Sequence, residues 1–414
     1  MASKVAVFMV AEKPTLAESI ARILSDGRAR KRSESKGLPV YDFEDEWEGS
    51  PAHYRVTSTI GHVKRIEFPE EYHCEYLTYQ PFDLFNCPVE WQSEFLQSEG
   101  QGWDYLVLWM DCDREGENVG FEVIDTVKGV SGRRCGNDHN ALMQFVYRAR
   151  FSAVTESEIK HAMRHLGRPN LNEALAVEAR RELDLRIGCQ FTRFLTYYIF
   201  DCFGNLQTNK ISFGPCQTPA LAYCVERFAK IKMFKPERIY SLDAHFYSDK
   251  WDILKGDWLR NTLKSESEAF VYLDIIKNAG FAVVESVERK ENVKEKLKPL
   301  NTNEMIRKAS ELLKFDSIYT SKVAQRLYEK GLISYPRTET TAYPASLNLA
   351  NELRMLKDDP DWENYVVELL ANGIDIPTNG IDLKDHLPIM PQGSEFRSKP
   401  MAMLSLEPTF PEEG

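Results

Sequence analysis

Hydrophobic positions in the first third of this chain come as short unbroken runs, each followed by spaced ones. VAVFMVA at residues 5–11 is nearly continuous, the pattern of a strand buried on both faces. It stops at Glu12, Lys13 and Pro14. Beyond it Leu16, Ile20, Ile23 and Leu24 recur at helical spacing, with Pro14 suited to a first turn and Gly27 past the end. The same unit returns at YLVLWM (105–110), followed by Asp111, Cys112, Asp113, Arg114 and Glu115, then by Val119, Val123 and Val127 on one helical face. Both units set polar residues just past the C-terminal end of a strand, where open α/β sheets bind ligands. Residues 1–155 therefore read as one parallel-sheet domain.

From 156 to 230 the pattern turns helical. NEALAVEARRELDLRIGCQFTRFLTYYIF carries apolar residues at helical spacing, and ISFGPCQTPALAYCVERF reads as a short strand, then a helix capped by Thr218 with Pro219 in its first position. Between 231 and 298 alternation dominates, as in YSLDAHFYS and FAVVESVER, and predicts antiparallel strands. Two helices return from 299. In the second, Val323, Leu327 and Tyr328 share a face, Gly331 sits at C′, and LISY follows as a strand.

A length of 414 residues accommodates two to four domains. The eight cysteines have no zinc or CxxC spacing, which fits a reducing compartment, cytosol or nucleus. Glu12 and Lys13 cut the N-terminal apolar run short of a signal sequence, and no stretch approaches the length of a membrane span. No Walker A loop is present, which argues against ATP-driven action. The net charge of −11 speaks against a nucleic-acid partner at first sight. Basic clusters interrupt the acidic background, however: RARKR (28–32), Arg148 with Arg150, and Arg180, Arg181, Arg186 and Arg193. Phosphate binding depends on local potential, so total charge does not exclude it. Each cluster can equally be a solvated face, and RARKRSESKG reads as a loop.

Two stretches carry chemistry. Asp111, Asp113 and Glu115 at i, i+2 and i+4 offer hard oxygen ligands suited to Mg²⁺, or else a helix start with Asp113 as N-cap. Glu12, at the end of the other strand, would add a fourth carboxylate, and a cation would offset their repulsion. In GLISYPRTETT, Tyr335 and Arg337 flank Pro336. Taken alone, that is an edge strand closing at a residue with no N–H to give.

The motifs together decide between these readings. VAEKPTLAESIARIL, TSTIGHV, LWMDCDREGENVGFEVID, RARFSAVTESEI, NEALAVEARRELDLRIGCQFTRF, ISFGPCQTPALAYCVERF and RLYEKGLISYPRTETTAYP occur in this order between residue 5 and about 391. In content and order they resemble the type IA DNA topoisomerases, and within them the eukaryotic topoisomerase III group, nearer its beta branch than its alpha branch. The resemblance implies an α/β plus α+β multidomain fold. A Rossmann-like Toprim domain (1–155, domain I) would precede helical, winged-helix-like pieces and an antiparallel β arch: first part of domain IV (156–230), first part of domain II (231–298), and domain III with the catalytic tyrosine (299–392).

The resemblance implies an ATP-independent enzyme that cuts one strand through a 5′-phosphotyrosine on Tyr335, passes a strand and rejoins the ends. Arg337 and Lys13 would stand beside the scissile phosphate and Glu12 would act as acid and base. Glu12, Asp111, Asp113 and Glu115 would hold Mg²⁺. Arg180, Asp184 and Gln217 would contact the single strand, and His386 falls at the family's active-site histidine, although Leu387 and Met390 depart from the usual DHPPITP pattern. Pro215 stands where bacterial members carry an arginine, which removes one phosphate contact. The implied partners are single-stranded DNA, RNA as a second substrate, and a protein partner; the implied catalytic unit is a monomer in the nucleus, with the cytoplasm as a second compartment. A binding fragment without strand passage is the alternative. A different Toprim enzyme, such as a primase or nuclease, is disfavoured by SYPRT. Residues 393–414 carry none of these motifs and are expected to lie outside the family pattern, with the returning strands of domains II and IV missing. Domain III is therefore expected to hang from one connection and to form little adduct.

Overall fold

The computed structural model describes residues 4–33, 38–67, 85–133, 138–204, 208, 210–248, 251–259, 262–292, 296–344, 347–357, 362–383 and 386–392. They fall into two compact units, Met1–Ser212 with Lys296–Gly414, and Phe213–Glu295.

The first unit is built on a sheet. The run at 5–11 is strand β1 (Val5–Ala11), followed by α1 (Pro14–Leu24), β2 (Arg30–Ser33), β3 (Pro39–Trp47) and β4 (Ser50–Ser58). Next come β5 (Lys64–Glu67), β6 (Phe85–Pro88), α2 (Glu90–Glu99), β7 (Tyr105–Trp109), α3 (Arg114–Val127), α4 (His139–Met143) and β8 (Val146–Arg148). Six of these strands lie in the order β2-β3-β4-β1-β7-β8. β1 runs parallel to β4 and β7, and β7 parallel to β8. The expected parallel sheet thus carries an antiparallel edge, because β3 pairs antiparallel with both β4 and β2. Glu48 and Gly49 both take positive φ, 49° and 77°, which is the two-residue hairpin geometry that matches strand twist. RARKR is not a loop throughout: Arg32 on β2 donates to Asp42 at 2.9 Å and to Glu99 at 2.6 Å.

Alternation within β1 separates two cores. Val7, Met9 and Ala11 face α1, while Phe8 and Val10 face α2 and α3. The α1 side also receives α5 (Glu156–Arg164), and after it runs the 33-residue α6 (Leu171–Phe203). Far along the chain, α9 (Thr302–Leu313) and α10 (Ser317–Glu329) rejoin this unit, with α11 (Leu349–Leu356) and α12 (Glu363–Asn372) after them. Ala324, Tyr328, Ile333 and Tyr335 belong to the same buried cluster as Val7 and Trp109. The loosely hung domain III expected from the sequence is therefore corrected: the tyrosine segment shares a core with the sheet.

The second unit holds α7 (Gln217–Met233), a hairpin of β9 (Asp243–Ser248) and β10 (Trp251–Asp257), and α8 (Glu266–Ala279). The helix α7 begins one residue before Thr218, and Pro219 sits in its first turn, where a missing N–H costs nothing. ISF is not a strand, nor is FAVVESVER. The helix α8 went unread although its signals were present: Ser265 accepts from the Glu268 N–H, and Gly280 closes it at φ 68°.

Candidate active site

The C-terminal ends of β1 and β7 lie side by side, in register from Val7 with Tyr105 to Ala11 with Trp109. Glu12 and Lys13 continue from the first strand; Asp111 and Asp113 continue from the second. The Asp111 N–H donates to Glu12 Oε2 at 3.0 Å, and Lys13 Nζ reaches Asp111 Oδ2 at 2.5 Å and Glu12 Oε1 at 3.4 Å. Burial pushes the Glu12 carboxyl upward, Asp111 and Asp113 add to that rise, and Lys13 only partly offsets it. Burial alone would lower the Lys13 ammonium, but Asp111 and Glu12 outweigh it and hold the charge in place.

Asp113 is the N-cap of α3: its Oδ1 accepts from the Gly116 N–H at 2.7 Å. A Cβ on Gly116 would run into the Asp111 carbonyl, so only glycine lets the helix start so close to the acidic loop. The other oxygen, Oδ2, accepts from the Tyr335 hydroxyl at 2.5 Å. Of the two readings of the acidic loop, the helix cap is thus seen directly.

Tyr335 is 1 % exposed. The helix α10 ends in a Schellman turn, with Gly331 at φ 71° and the Leu332 N–H donating to the Leu327 carbonyl at 2.9 Å. A Cβ on Gly331 would also strike the Val154 carbonyl. The following LISY is not a regular strand. Ser334 pairs with Met390, Leu332 accepts from Gln392, and Tyr335 donates to Ser152, but Pro336, Pro388 and Pro391 have no N–H with which to extend a ladder. The phenol ring lies edge-on to Tyr328 at 5.2 Å and tilted over His386 at 4.7 Å. Burial first, then the charges of Asp113 and Asp111, push its hydroxyl far above the ordinary phenol range, while Arg337 pulls against them. Arg337 itself is exposed.

The structure thus brings together Glu12, Lys13, Asp111, Asp113, Tyr335 and His386. Glu115 stands at the edge, paired with Arg180 of α6 and with His62 Nε2 at 3.4 Å. Asp184 is exposed one turn further along α6. Gln217 opens α7 in the second unit, its side-chain amide packed on Gly214. Sequence reasoning missed Tyr328, whose hydroxyl donates to Asp111 Oδ1 at 3.3 Å, because its helical spacing marked it as core. It also left Arg148 in a basic cluster open to either a phosphate or solvent. That side chain is 1 % exposed and runs beneath the acidic loop, donating to Glu117 at 3.0 Å and to the carbonyls of Met110 and Asp111 at 2.9 and 2.7 Å.

The acidic loop offers hard oxygen donors, the kind a divalent cation prefers. Among the described residues no three such groups converge. Lys13 and Tyr328 occupy Asp111, Tyr335 and the α3 terminus occupy Asp113, and Arg180 and His62 occupy Glu115. The donors fit a cation in kind, and binding one would take these carboxylates from their present partners.

Two family models match the chain: a Toprim domain over residues 7–154 and a DNA topoisomerase model over residues 168–402. The chain belongs to the type IA DNA topoisomerases. It is 45 % identical to mouse DNA topoisomerase 3-beta-1 over 401 residues, covering 94 % of this chain and 46 % of the relative. Arabidopsis DNA topoisomerase 3-beta is 42 % identical over 399 residues, again 94 % of this chain and 45 % of the relative. Human DNA topoisomerase 3-alpha is 34 % identical over 410 residues, with 94 % and 40 % covered. The resemblance therefore leans to the beta branch. The chain spans about half the length of the curated relatives it matches. A solved full-length topoisomerase I from Thermotoga maritima shares the fold at a TM-score of 0.58 and 19 % identity, over 93 % of this chain and 55 % of that one.

Proposed function

We propose that this topoisomerase chain cleaves one strand of single-stranded DNA with Tyr335 as nucleophile and rejoins it without ATP. The observation that carries the reading is the Tyr335 hydroxyl seated on Asp113 within the pocket that holds Lys13 and Glu12. A phenol is a poor nucleophile near neutral pH, and here it is also parked as a hydrogen-bond donor. It must leave Asp113 when a phosphate enters. Tyr335 Oη passes its proton to water as it bonds to phosphorus, the P–O3′ bond breaks, and Glu12, whose burial favours the protonated form, gives a proton to the departing 3′-oxygen. Lys13 and Arg337 stabilise the charge on the phosphate. One phosphodiester replaces another, so religation by reversal needs no nucleotide.

We assign Asp111, Asp113 and Glu115, with Glu12 beside them, as the residues that would hold Mg²⁺; when bound it would supply positive charge next to the broken ends. Arg180, Asp184 and Gln217 are proposed to contact the strand, with His386 packed on the nucleophile's ring. A DNA substrate supports the nucleus as its compartment, with the cytoplasm as a second one. Because it spans half of its relatives, strand passage and action on RNA stand as separate proposals, to be read by plasmid relaxation and by an RNA version of the cleavage assay.

A suicide oligonucleotide separates cleavage from mere binding: an adduct that maps to Tyr335 supports the enzyme, and binding with no adduct leaves a nucleic-acid-binding fragment. Lys13→Ala should slow cleavage by ~10²-fold or more, the scale of removing one stabilising charge from a transition state. A normal rate would move the phosphate contact elsewhere. The double substitution Asp111→Asn with Asp113→Asn should spare cleavage more than religation. Adduct lifetime, followed across Mg²⁺ concentrations, should lengthen and lose its Mg²⁺ dependence; a parental profile would reduce these carboxylates to a helix cap.

A further inference from the structure

Resting on the reading that this chain holds a single strand, we propose a second subsite on the Toprim domain that stacks one unpaired base of that strand on Trp91 and faces its phosphate with Arg65. The site is a cavity of about 410 Å³ between the turn before β5, β5 itself and the start of α2, walled on its far side by Arg181 of α6. That volume is within the range that holds a small ligand. Ile60 and Trp91 line it, and both leave large apolar surfaces in solvent, at 56 % and 42 % exposure. Every nucleobase has a π-face, so an exposed indole is a platform that tolerates any sequence and that a closed duplex cannot reach.

The walls are fixed in advance. Gln92 Oε1 accepts from the Ile60 N–H at 2.9 Å and its Nε2 donates to the His62 carbonyl at 3.3 Å, so α2 clamps the turn. Beneath it Glu122, 3 % exposed, accepts from the Val63 N–H at 2.7 Å, the Lys64 N–H at 3.1 Å, His62 at 3.1 Å and Arg181 at 2.9 Å. A carboxylate so fully engaged leaves the rim positive. Lys64 is paired with Asp125 at 2.6 Å, whereas Arg65 is exposed at the mouth. A preorganised pocket loses little freedom when it is filled. The cavity also communicates with the proposed chemistry: His62 contacts both Glu122 and Glu115, and Arg181 follows the Arg180 that pairs with Glu115. A strand whose phosphate meets Tyr335 can therefore continue into the cavity.

Fluorescence anisotropy with a labelled oligothymidylate, at fixed salt, tests this on the full chain. Trp91→Ala should weaken binding about tenfold and Trp91→Phe should retain most of the affinity. Removing bases one at a time should reveal a position whose loss costs the parent a similar factor and costs Trp91→Ala nothing. Arg65→Ala should lower the salt slope by about one phosphate. Binding of Trp91→Ala within twofold of the parent, with identical abasic profiles, would overturn the subsite while leaving the cleavage reading untouched; it is the result expected if the cavity takes an aromatic side chain of a protein instead. A parent that binds no oligonucleotide overturns both.

Discussion

Tyr335→Phe should yield no covalent adduct with a suicide oligonucleotide while binding single strands like the parent. The substitution removes one oxygen and keeps the ring. That ring is held by packing on Tyr328 at 5.2 Å and His386 at 4.7 Å and by the backbone bond from Tyr335 to Ser152 at 2.9 Å, none of which needs the hydroxyl. The lost hydrogen bond runs to a carboxylate, which would be worth ~1.5–3 kcal/mol in a dry site. Asp113 is only half-buried and keeps its bond to the Gly116 N–H, so water can fill the place and the stability change should fall below that range. The expected pattern is thus a complete loss of adduct with a thermal midpoint within a few degrees of the parent. An adduct on the Phe protein would move the nucleophile elsewhere. A collapsed fold would mean that the Tyr335–Asp113 bond holds the two segments together, which the shared core argues against.

Arg148→Ala should be the most destabilising substitution near the site. Its guanidinium is buried beside Glu117, which is 2 % exposed, and it bonds the carbonyls of Met110, Asp111 and Ala149. Truncation leaves a buried carboxylate short of its main partner, because Arg150 approaches only to 3.5 Å, and it strands carbonyls of the acidic loop. Breaking a buried pair in this way costs about 3–5 kcal/mol, a large share of a domain's stability. Lysine carries the charge but not the planar fork, so Arg148→Lys should recover part of the stability while Asp111 shifts. Urea unfolding of the two variants reads the first effect, and the cleavage rate of Arg148→Lys reads the second. A loss under 1 kcal/mol for Arg148→Ala would return this residue to the solvated surface.

How much of this could be read from the chain depends on the residue. VAVFMVA and YLVLW announced themselves because strands buried on both faces allow no polar interruption. Asp113 was legible as a cap because caps are local. Arg148 was not, since nothing in RARF says which arginine points inward; that is decided by Glu117 and by carbonyls thirty-odd positions away. Tyr328 illustrates the opposite trap, a helical stripe residue whose hydroxyl reaches Asp111. The tyrosine segment looked like a strand by composition, but the prolines of its partner stretch, distant in sequence, prevent a ladder. The convergence of Glu12, Asp111 and Tyr335 rested on family resemblance, because periodicity cannot bring residue 335 to residue 113.

The helix α6 has a mechanical meaning. Its first turns are bolted to α3, through Asn118 on the Ala174 carbonyl, Arg181 on Glu122 and Arg180 on Glu115, while Tyr197, Tyr198 and Phe203 stand exposed toward the other end. At 1.5 Å per residue the 33-residue rod is ~50 Å long, with ~33 Å of it beyond the bolts. A rotation of ~5° about that fulcrum swings the tip by ~3 Å, by the same geometry. The lever works in both directions: torque applied at the aromatic end would be delivered, at mechanical advantage, to the arginine that grips Glu115.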